Sequence, residues 1–168
     1  MAGLRLPLGG TDHLRYVPAA GVPWFVALFG RDSLIASLQS ILVYSDFAAA
    51  TLEVLANYQA SERDDRRDAE PGKIMHELRH GELAHFGMIP HTPYYGTADA
   101  TTLYLILLHA AWQANGAKEL LAKRYATAER CLTWIEQYGD RDGDGFRNMP
   151  PGHLSATRTR AGRTQGTP

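Results

Sequence analysis

The chain has 168 residues, of which 45% are apolar and 10% aromatic, and this suffices for the core of one globular domain. With 17 basic and 18 acidic residues the formal net charge is -1, so no electrostatic field that attracts nucleic acid is expected. The lone Cys131 and the lack of a long apolar run or a charged leader predict a cytoplasmic protein with no disulfide and no membrane partner.

The first 60 residues predict a loop followed by a helical hairpin. Residues 1 to 30 are rich in glycine and proline and show little periodicity, which predicts a loop. A first helix is expected from about Arg31, and Ser45 is expected to cap a second helix that runs to about Ala60. The apolar face of the first helix comprises Leu34, Ile35, Leu38, Ile41 and Leu42.

Two further helices are predicted after a long connection. Residues 61 to 96 are rich in charge, glycine, histidine and proline, and so long a connection is expected to be functional or disordered. Thr97 is expected to cap a third helix that is apolar all round and therefore buried on every side. A fourth, half-solvated helix is expected from Lys118 to about Tyr138. Its apolar face comprises Leu121, Tyr125, Leu132 and Ile135.

This order predicts an all-α fold in which the more apolar helix leads each of two hairpins. Hairpins with one helix inside and one outside a ring are the repeating unit of an α/α toroid. Two hairpins cannot close such a ring. We therefore expect a partial α/α toroid of about two helical hairpins with long loops, and the family resemblance described below implies that the complete toroid is of the (α/α)6 kind.

Three segments carry side chains that could bind or react with a ligand, and each lies in or beside a loop that leads to a predicted inner helix. We therefore expect the three to meet on one rim. In the first segment, residues 23 to 32, the faces of Trp24 and Phe25 can stack on sugar rings. Arg31 and Asp32 can hydrogen-bond hydroxyl groups. Core packing of the aromatics, with Asp32 favoured by the helix dipole, explains the same residues equally well.

The second segment, residues 70 to 79, crowds carboxylates, an amine, an imidazole and a guanidinium together. His76, Glu77 and His80 fit the HExxH pattern of zinc proteases. The flanking glycines leave only about two helical turns, and no third ligand is evident. A zinc protease is therefore the least favoured alternative.

The third segment contains Asp99, which lies in the first turn of the third predicted helix behind Tyr94, Tyr95 and Gly96. A partly desolvated aromatic setting raises the pKa of a carboxyl group, as a general acid requires, although a helix N-terminus lowers it. Capping of the helix together with Thr97 is the structural alternative. These residues by themselves leave both interpretations open.

Together and in this order, the segments resemble the catalytic domain of bacterial amylo-α-1,6-glucosidases, the glycogen-debranching-like members of the six-hairpin glycosidases. The similarity covers residues 20 to 146. It is carried by residues 21–32, 68–79, 94–101 and 138–146. The resemblance implies an (α/α)6 barrel with a sugar pocket at one rim, and it makes the HExxH match a coincidence.

The resemblance also implies inverting hydrolysis of α-glucosidic bonds with Asp99 as the general acid. The general base of such enzymes comes from a hairpin late in the barrel, and no residue here corresponds to it. We therefore expect a glycosidase fragment that is inactive alone; a non-catalytic carbohydrate-binding remnant is the alternative. The expected partner is an oligo- or polysaccharide, without a cofactor. The expected substrate-binding residues are Trp24, Phe25, Arg31, Asp32, Glu70, Lys73, His76, Glu77, Tyr94 and Tyr95.

A possible calcium loop follows the fourth helix. Asp140, Asp142 and Asp144 match the opening half of such a loop. Pro151 stands at the twelfth position, where an acidic ligand is needed. A structural turn is therefore the preferred interpretation, and no metal is expected.

Residues 1–146 are expected to be the N-terminal part of the barrel, whereas residues 147–168 have too few apolar side chains to build a core. This tail is expected to be disordered and unrelated to the family. In the frame that begins at the third base of each codon, residues 147–149 permit Glu-Tyr and residues 159–168 permit Gln-Gly-Trp-Lys-Asp-Ser. The resembled family continues with both after its Asp/Gly turn, which indicates a frameshift near Arg147.

The frameshift hypothesis predicts that DNA beyond the stop codon holds an open frame encoding further helical hairpins. Sequencing the gene through that region is the measurement. Absence of such a frame would remove the hypothesis.

Overall fold

Four α-helices are the main elements of the described chain. The structure is a computed structural model that describes residues 5–8, 15–21, 23, 26–79, 86 and 92–140. The helices are α1 (Gly30–Ser40), α2 (Ser45–Asn57), α3 (Asp99–Asn115) and α4 (Lys118–Trp134), and a π-helical turn (Ile135–Gly139) extends α4. All four predicted helices are confirmed. No helix of the described residues is long and apolar enough to cross a membrane.

Two small antiparallel sheets accompany the helices, so the expectation of an all-α fold is confirmed only as far as a helix-rich fold. Strand β1 (Arg5–Leu8) pairs with β2 (Arg15–Pro18), and β3 (Leu28–Phe29) pairs with β4 (Glu77–Leu78). The first sheet lies within the predicted lead-in loop, and its Val17 is buried in the core. Strands of two to four residues are too short for apolar alternation to be recognised in the sequence.

The helices pack as two neighbouring hairpins. Helices α1, α2 and α3 contact one another, and α4 contacts α2 and α3. Small side chains let α1 approach α2, where the hydroxyls of Ser37 and Thr51 lie 2.9 Å apart and buried. Tyr104 on α3 donates a hydrogen bond of 3.1 Å to the Leu52 carbonyl on α2. Because the described residues contain no further hairpin, they form a helix-rich packed unit rather than a closed ring.

Burial in the first three helices departs from the prediction. Helix α2 buries six residues and α1 buries four, so the leading helix of the first hairpin is the less buried one. Helix α3 was expected to be buried all round, yet Ile106 is 45% exposed. One side of α3 therefore faces away from the core in the described structure.

The prediction of which residues form the buried face of α4 is wrong. Leu121, Tyr125 and Leu132 are all exposed, whereas Cys131 and Trp134 are buried. The reason lies in the long connection, because the Trp134 indole N–H donates a 2.9 Å hydrogen bond to Glu70 there. A buried polar pair of this kind determines which side of the helix turns inward, and helical periodicity does not reveal it.

The two predicted helix caps are also wrong. Thr97 does not cap α3, since Ala98 is the N-cap residue and Thr97 Oγ1 is buried without a hydrogen-bond partner. Ala98 has a helical backbone conformation (φ -95°, ψ -33°), unlike the extended conformation of a typical capping residue. In α2, Tyr44 is the N-cap residue and Ser45 already belongs to the helix.

The prediction of a buried structural thiol is confirmed. Cys131 is fully buried, and burial raises the pKa of its thiol to about 12. The side-chain amide of Gln59 donates to Cys131 Sγ at 3.3 Å and to the Gly72 carbonyl at 2.9 Å. This amide therefore joins the end of α2 to both α4 and the long connection.

Substitution of Gly30 tests the close approach of the start of α1 to the backbone at Met75. A Cβ at residue 30 would overlap the Met75 carbonyl oxygen, so Gly30→Ala is expected to lower the free energy of unfolding by about 2 to 3 kcal/mol. Urea denaturation is the measurement. Gly139→Ala is the control, because its new Cβ lies 3.8 Å from the nearest atom, and it should cost nothing. Equal stabilities of the two variants would contradict the described approach.

Candidate functional site

Backbone pairing brings the three chemistry-bearing segments together. Phe29 of the first segment is the register partner of Glu77 in the second. The Tyr94 N–H of the third segment donates to the Glu77 carbonyl at 2.9 Å, and the Tyr94 carbonyl accepts from the His76 N–H at 2.8 Å. The three segments therefore meet, as their predicted positions led us to expect.

The second segment is held between the helices α1 and α3. The Gly30 N–H at the start of α1 donates to the His76 carbonyl at 2.7 Å. The Ile74 N–H donates to Thr101 Oγ1 on α3 at 3.0 Å. Ile74 and Met75 are fully buried, so this part of the long connection is packed into the core.

Arg31 and Asp99 form an ion pair between the first turns of α1 and α3. Arg31 Nη1 lies 3.1 Å from Asp99 Oδ2, and each side chain is 45% exposed. A pair this exposed contributes only about 0 to 1 kcal/mol to stability. The Asp99 side chain is therefore half exposed beside a guanidinium, while its Oδ1 atom is buried.

His76 lies between two aromatic rings. Its ring centroid is 6.0 Å from that of Phe29 and 6.2 Å from that of Tyr94, both in edge-to-face arrangements. Burial lowers the pKa of His76 below its ordinary value of 6.5. The nearby Glu77 acts against this shift, and the Arg31 charge adds to it. The imidazole is therefore expected to be neutral at neutral pH.

Three buried polar atoms near this junction lack hydrogen-bond partners. They are His76 Nδ1, Thr97 Oγ1 and Asp99 Oδ1, and among the described residues only Arg124 Nε shares this property. Each such atom costs about 1 to 3 kcal/mol, and proteins seldom retain the cost without a functional reason. The sequence interpretation missed Thr97 as a candidate because helix capping explained its hydroxyl.

Glu70 and Lys73 contact Trp134 on α4. Glu70 accepts the hydrogen bond from the Trp134 indole, and Lys73 Nζ lies 5.6 Å from the centroid of the same ring. Lys73 also donates to the Asp68 carbonyl at 2.9 Å. These two residues are buried against α4 and hold it in place, and their role in substrate binding stays a prediction.

Other expected binding residues have partners inside the protein. The Glu77 carboxylate is buried and forms an ion pair with Arg79. The Tyr95 hydroxyl donates to the Tyr58 carbonyl at 2.7 Å, and burial raises the pKa of Tyr95. Asp32 is exposed in the first turn of α1. Trp24 and Phe25, like Asp142 and Asp144 of the calcium-loop candidate beside the described Asp140, lie outside the described residues.

The zinc-protease pattern does not have the geometry that it requires. An HExxH site places both histidines on one face of a helix, whereas Glu77 and Leu78 form strand β4. His80 lies outside the described residues. In the part of the chain that is described, no three histidine, cysteine, aspartate or glutamate residues are grouped as a metal site would need.

Two cavities in the described structure lie elsewhere. One of about 560 Å³ is formed by α2 and the start of α4, and one of about 320 Å³ lies near Gly72 and Arg130. None of the predicted binding residues lines either cavity. The junction around His76 is therefore distinct from both.

Comparisons with known proteins identify no relative. None of the protein-family models matches the chain, and no curated protein matches its sequence. The resemblance to glycogen-debranching glycosidases accordingly rests on the motif residues alone.

The depressed pKa of His76 predicts a specific dependence of stability on pH. The folded protein binds this proton less readily than the unfolded chain, so the His76 contribution is complete above pH 6.5 and declines as the pH falls below it. His76→Gln is expected to reduce the slope of unfolding free energy against pH just below 6.5, measured by urea denaturation. His109→Gln, at an exposed position of α3, is the control. Identical slopes in all three proteins would contradict the prediction.

Proposed function

We propose that the junction of the three segments is part of a glycoside hydrolase site for α-glucosides of the glycogen-debranching type. The single observation that supports it most is the grouping of Arg31, His76 and Asp99 from three separated segments. Unpartnered buried atoms of His76, Thr97 and Asp99 lie in the same region. Together these groups offer hydrogen-bond donors and acceptors suited to the hydroxyls of a neutral sugar.

In this proposal Asp99 is the general acid. Its proton passes to the glycosidic oxygen as the bond from that oxygen to the anomeric carbon breaks. In the same step a water molecule attacks the opposite face of the sugar and inverts the anomeric centre. A second carboxylate must remove a proton from that water, and the resemblance assigns it to a later hairpin. In inverting enzymes the two carboxyl groups stand about 6.5 to 9.5 Å apart.

Arg31 has two roles in this scheme. In the free protein its guanidinium holds Asp99 Oδ2 at 3.1 Å. Protonation of Asp99 removes the charge that attracts Arg31, which leaves the guanidinium free to donate to a sugar hydroxyl. The neutral imidazole of His76 supplies a further donor or acceptor beside it.

A non-catalytic carbohydrate-binding role is the second candidate. One specific observation favours it: Asp99 Oδ2 is paired with Arg31 and Oδ1 is buried. The carboxyl group must therefore rotate before it can reach a glycosidic oxygen, whereas binding alone needs no such rotation. Turnover separates the two candidates.

Saccharide binding tests the proposed site. The purified 168-residue chain is titrated calorimetrically with maltose, isomaltose and trehalose, and at least one is expected to bind. Arg31→Ala should weaken binding at least about tenfold through loss of a charge-assisted hydrogen bond. Asp99→Asn should still bind because the amide retains an acceptor. Arg63→Ala is the matched control, since it breaks an exposed Arg–Asp pair of 2.8 Å elsewhere.

Glucose release is measured on the same proteins. We expect binding without release, because no residue here corresponds to the general base. Release that Asp99→Asn abolishes would establish catalysis by these residues. If none of the three sugars binds, the proposed function fails.

A further inference from the structure

The hydroxyl of Tyr94 has a hydrogen-bond partner within the protein. It donates a hydrogen bond of 2.6 Å to Asp68 Oδ2. Burial, reinforced by this bond to Asp68, raises the pKa of Tyr94 to about 12, so the hydroxyl stays protonated and remains a donor near neutral pH. Tyr94 was expected to bind substrate, and the observed partner of its hydroxyl suggests another role.

The ring of Tyr94 forms one wall beside His76. The two ring planes meet at 70° with centroids 6.2 Å apart, and Phe29 forms a second wall at 6.0 Å. His76 Nδ1 has no hydrogen-bond partner. The contacts with the Phe29 and Tyr94 rings therefore restrain the imidazole, without a hydrogen bond to Nδ1.

Asp68 adopts a backbone conformation that favours glycine. Its φ is 52°, in the left-handed region, where aspartate is tolerated better than most other residues. A glycine would adopt this conformation more readily but could not accept the Tyr94 hydrogen bond. The left-handed backbone does not require a carboxylate at this position, whereas the hydrogen bond from Tyr94 does.

We infer that Asp68 and Tyr94 are positioning residues that fix the His76 imidazole beside the Arg31–Asp99 pair through the 2.6 Å hydrogen bond. The inference rests on the proposed function of that site. Asp68 holds the Tyr94 hydroxyl, the Tyr94 backbone binds the His76 N–H, and the Tyr94 ring restrains the imidazole. Neither positioning residue needs to touch the sugar.

Adjacent tyrosines provide a matched comparison. Tyr94→Phe and Tyr95→Phe each remove one hydroxyl hydrogen bond, of 2.6 and 2.7 Å, but only Tyr94 contacts His76. Both variants are expected to lower the unfolding midpoint. Only Tyr94→Phe should move the pKa of His76 toward 6.5, because a freed ring admits water to the imidazole. An NMR titration, with the imidazole signal assigned through His76→Gln, measures this.

Asp68 variants separate positioning from backbone strain. Asp68→Asn keeps an acceptor and tolerates the left-handed conformation, so it should preserve the His76 titration and the saccharide affinity. Asp68→Gly relieves the backbone but removes the acceptor, so it should behave like Tyr94→Phe. If Asp68→Gly matches the wild type in both measurements, the inference is overturned. These variants also decide the matter if Tyr94→Phe does not fold.

The saccharide titration gives the second measurement. Tyr94→Phe is expected to weaken binding about fivefold or more, and Tyr95→Phe less than twofold. If the wild type binds no sugar while His76 still responds to Tyr94→Phe, the proposed function fails and the positioning role stands. If sugar binds and the two tyrosine variants agree in both measurements, the positioning role fails.

Discussion

The candidate site depends on the close approach of the first residue of α1 to the backbone of Met75 and His76. The Gly30 N–H donates to the His76 carbonyl at 2.7 Å, and a side chain at Gly30 would overlap the Met75 carbonyl. The β3–β4 ladder therefore ends where α1 begins, and Arg31 emerges in the first helical turn beside Asp99. A shift of one residue would turn Arg31 by about 100° around the helix axis and away from its partner.

A second constraint is the burial of Glu70 and Lys73 against α4. Their exposed fractions are only 9% and 4%, so both charges need partners inside the protein. The indole of Trp134 donates to the carboxylate and presents its face to the ammonium group. Residues close in sequence thus contact different helices. Glu70 and Lys73 hold α4 through Trp134, whereas His76 accepts a hydrogen bond from Gly30 at the start of α1.

Buried polar atoms are hydrogen-bonded between the core helices, but several at the junction are not. In the core, the hydroxyls of Ser37 and Tyr104 have hydrogen-bond partners on neighbouring helices. At the junction, polar atoms of His76 and Asp99 are buried without partners, and Asp68 has a left-handed backbone. Such costs are typical of sites where binding, and not stability alone, has selected the arrangement. This contrast distinguishes the junction from the contacts between α1, α2 and α3.

The sequence by itself determined the number of helices, their approximate ends, the buried thiol and the three segments that meet. These features follow from local periodicity, from composition and from the kinds of side chain present. Only the tertiary structure decided that Phe29 pairs with Glu77 and that α4 turns Trp134 inward. It also decided that Thr97 is left without a partner and that Glu70 packs on α4. Each of these depends on contacts between residues far apart in the chain, and such contacts leave no periodic trace in the sequence.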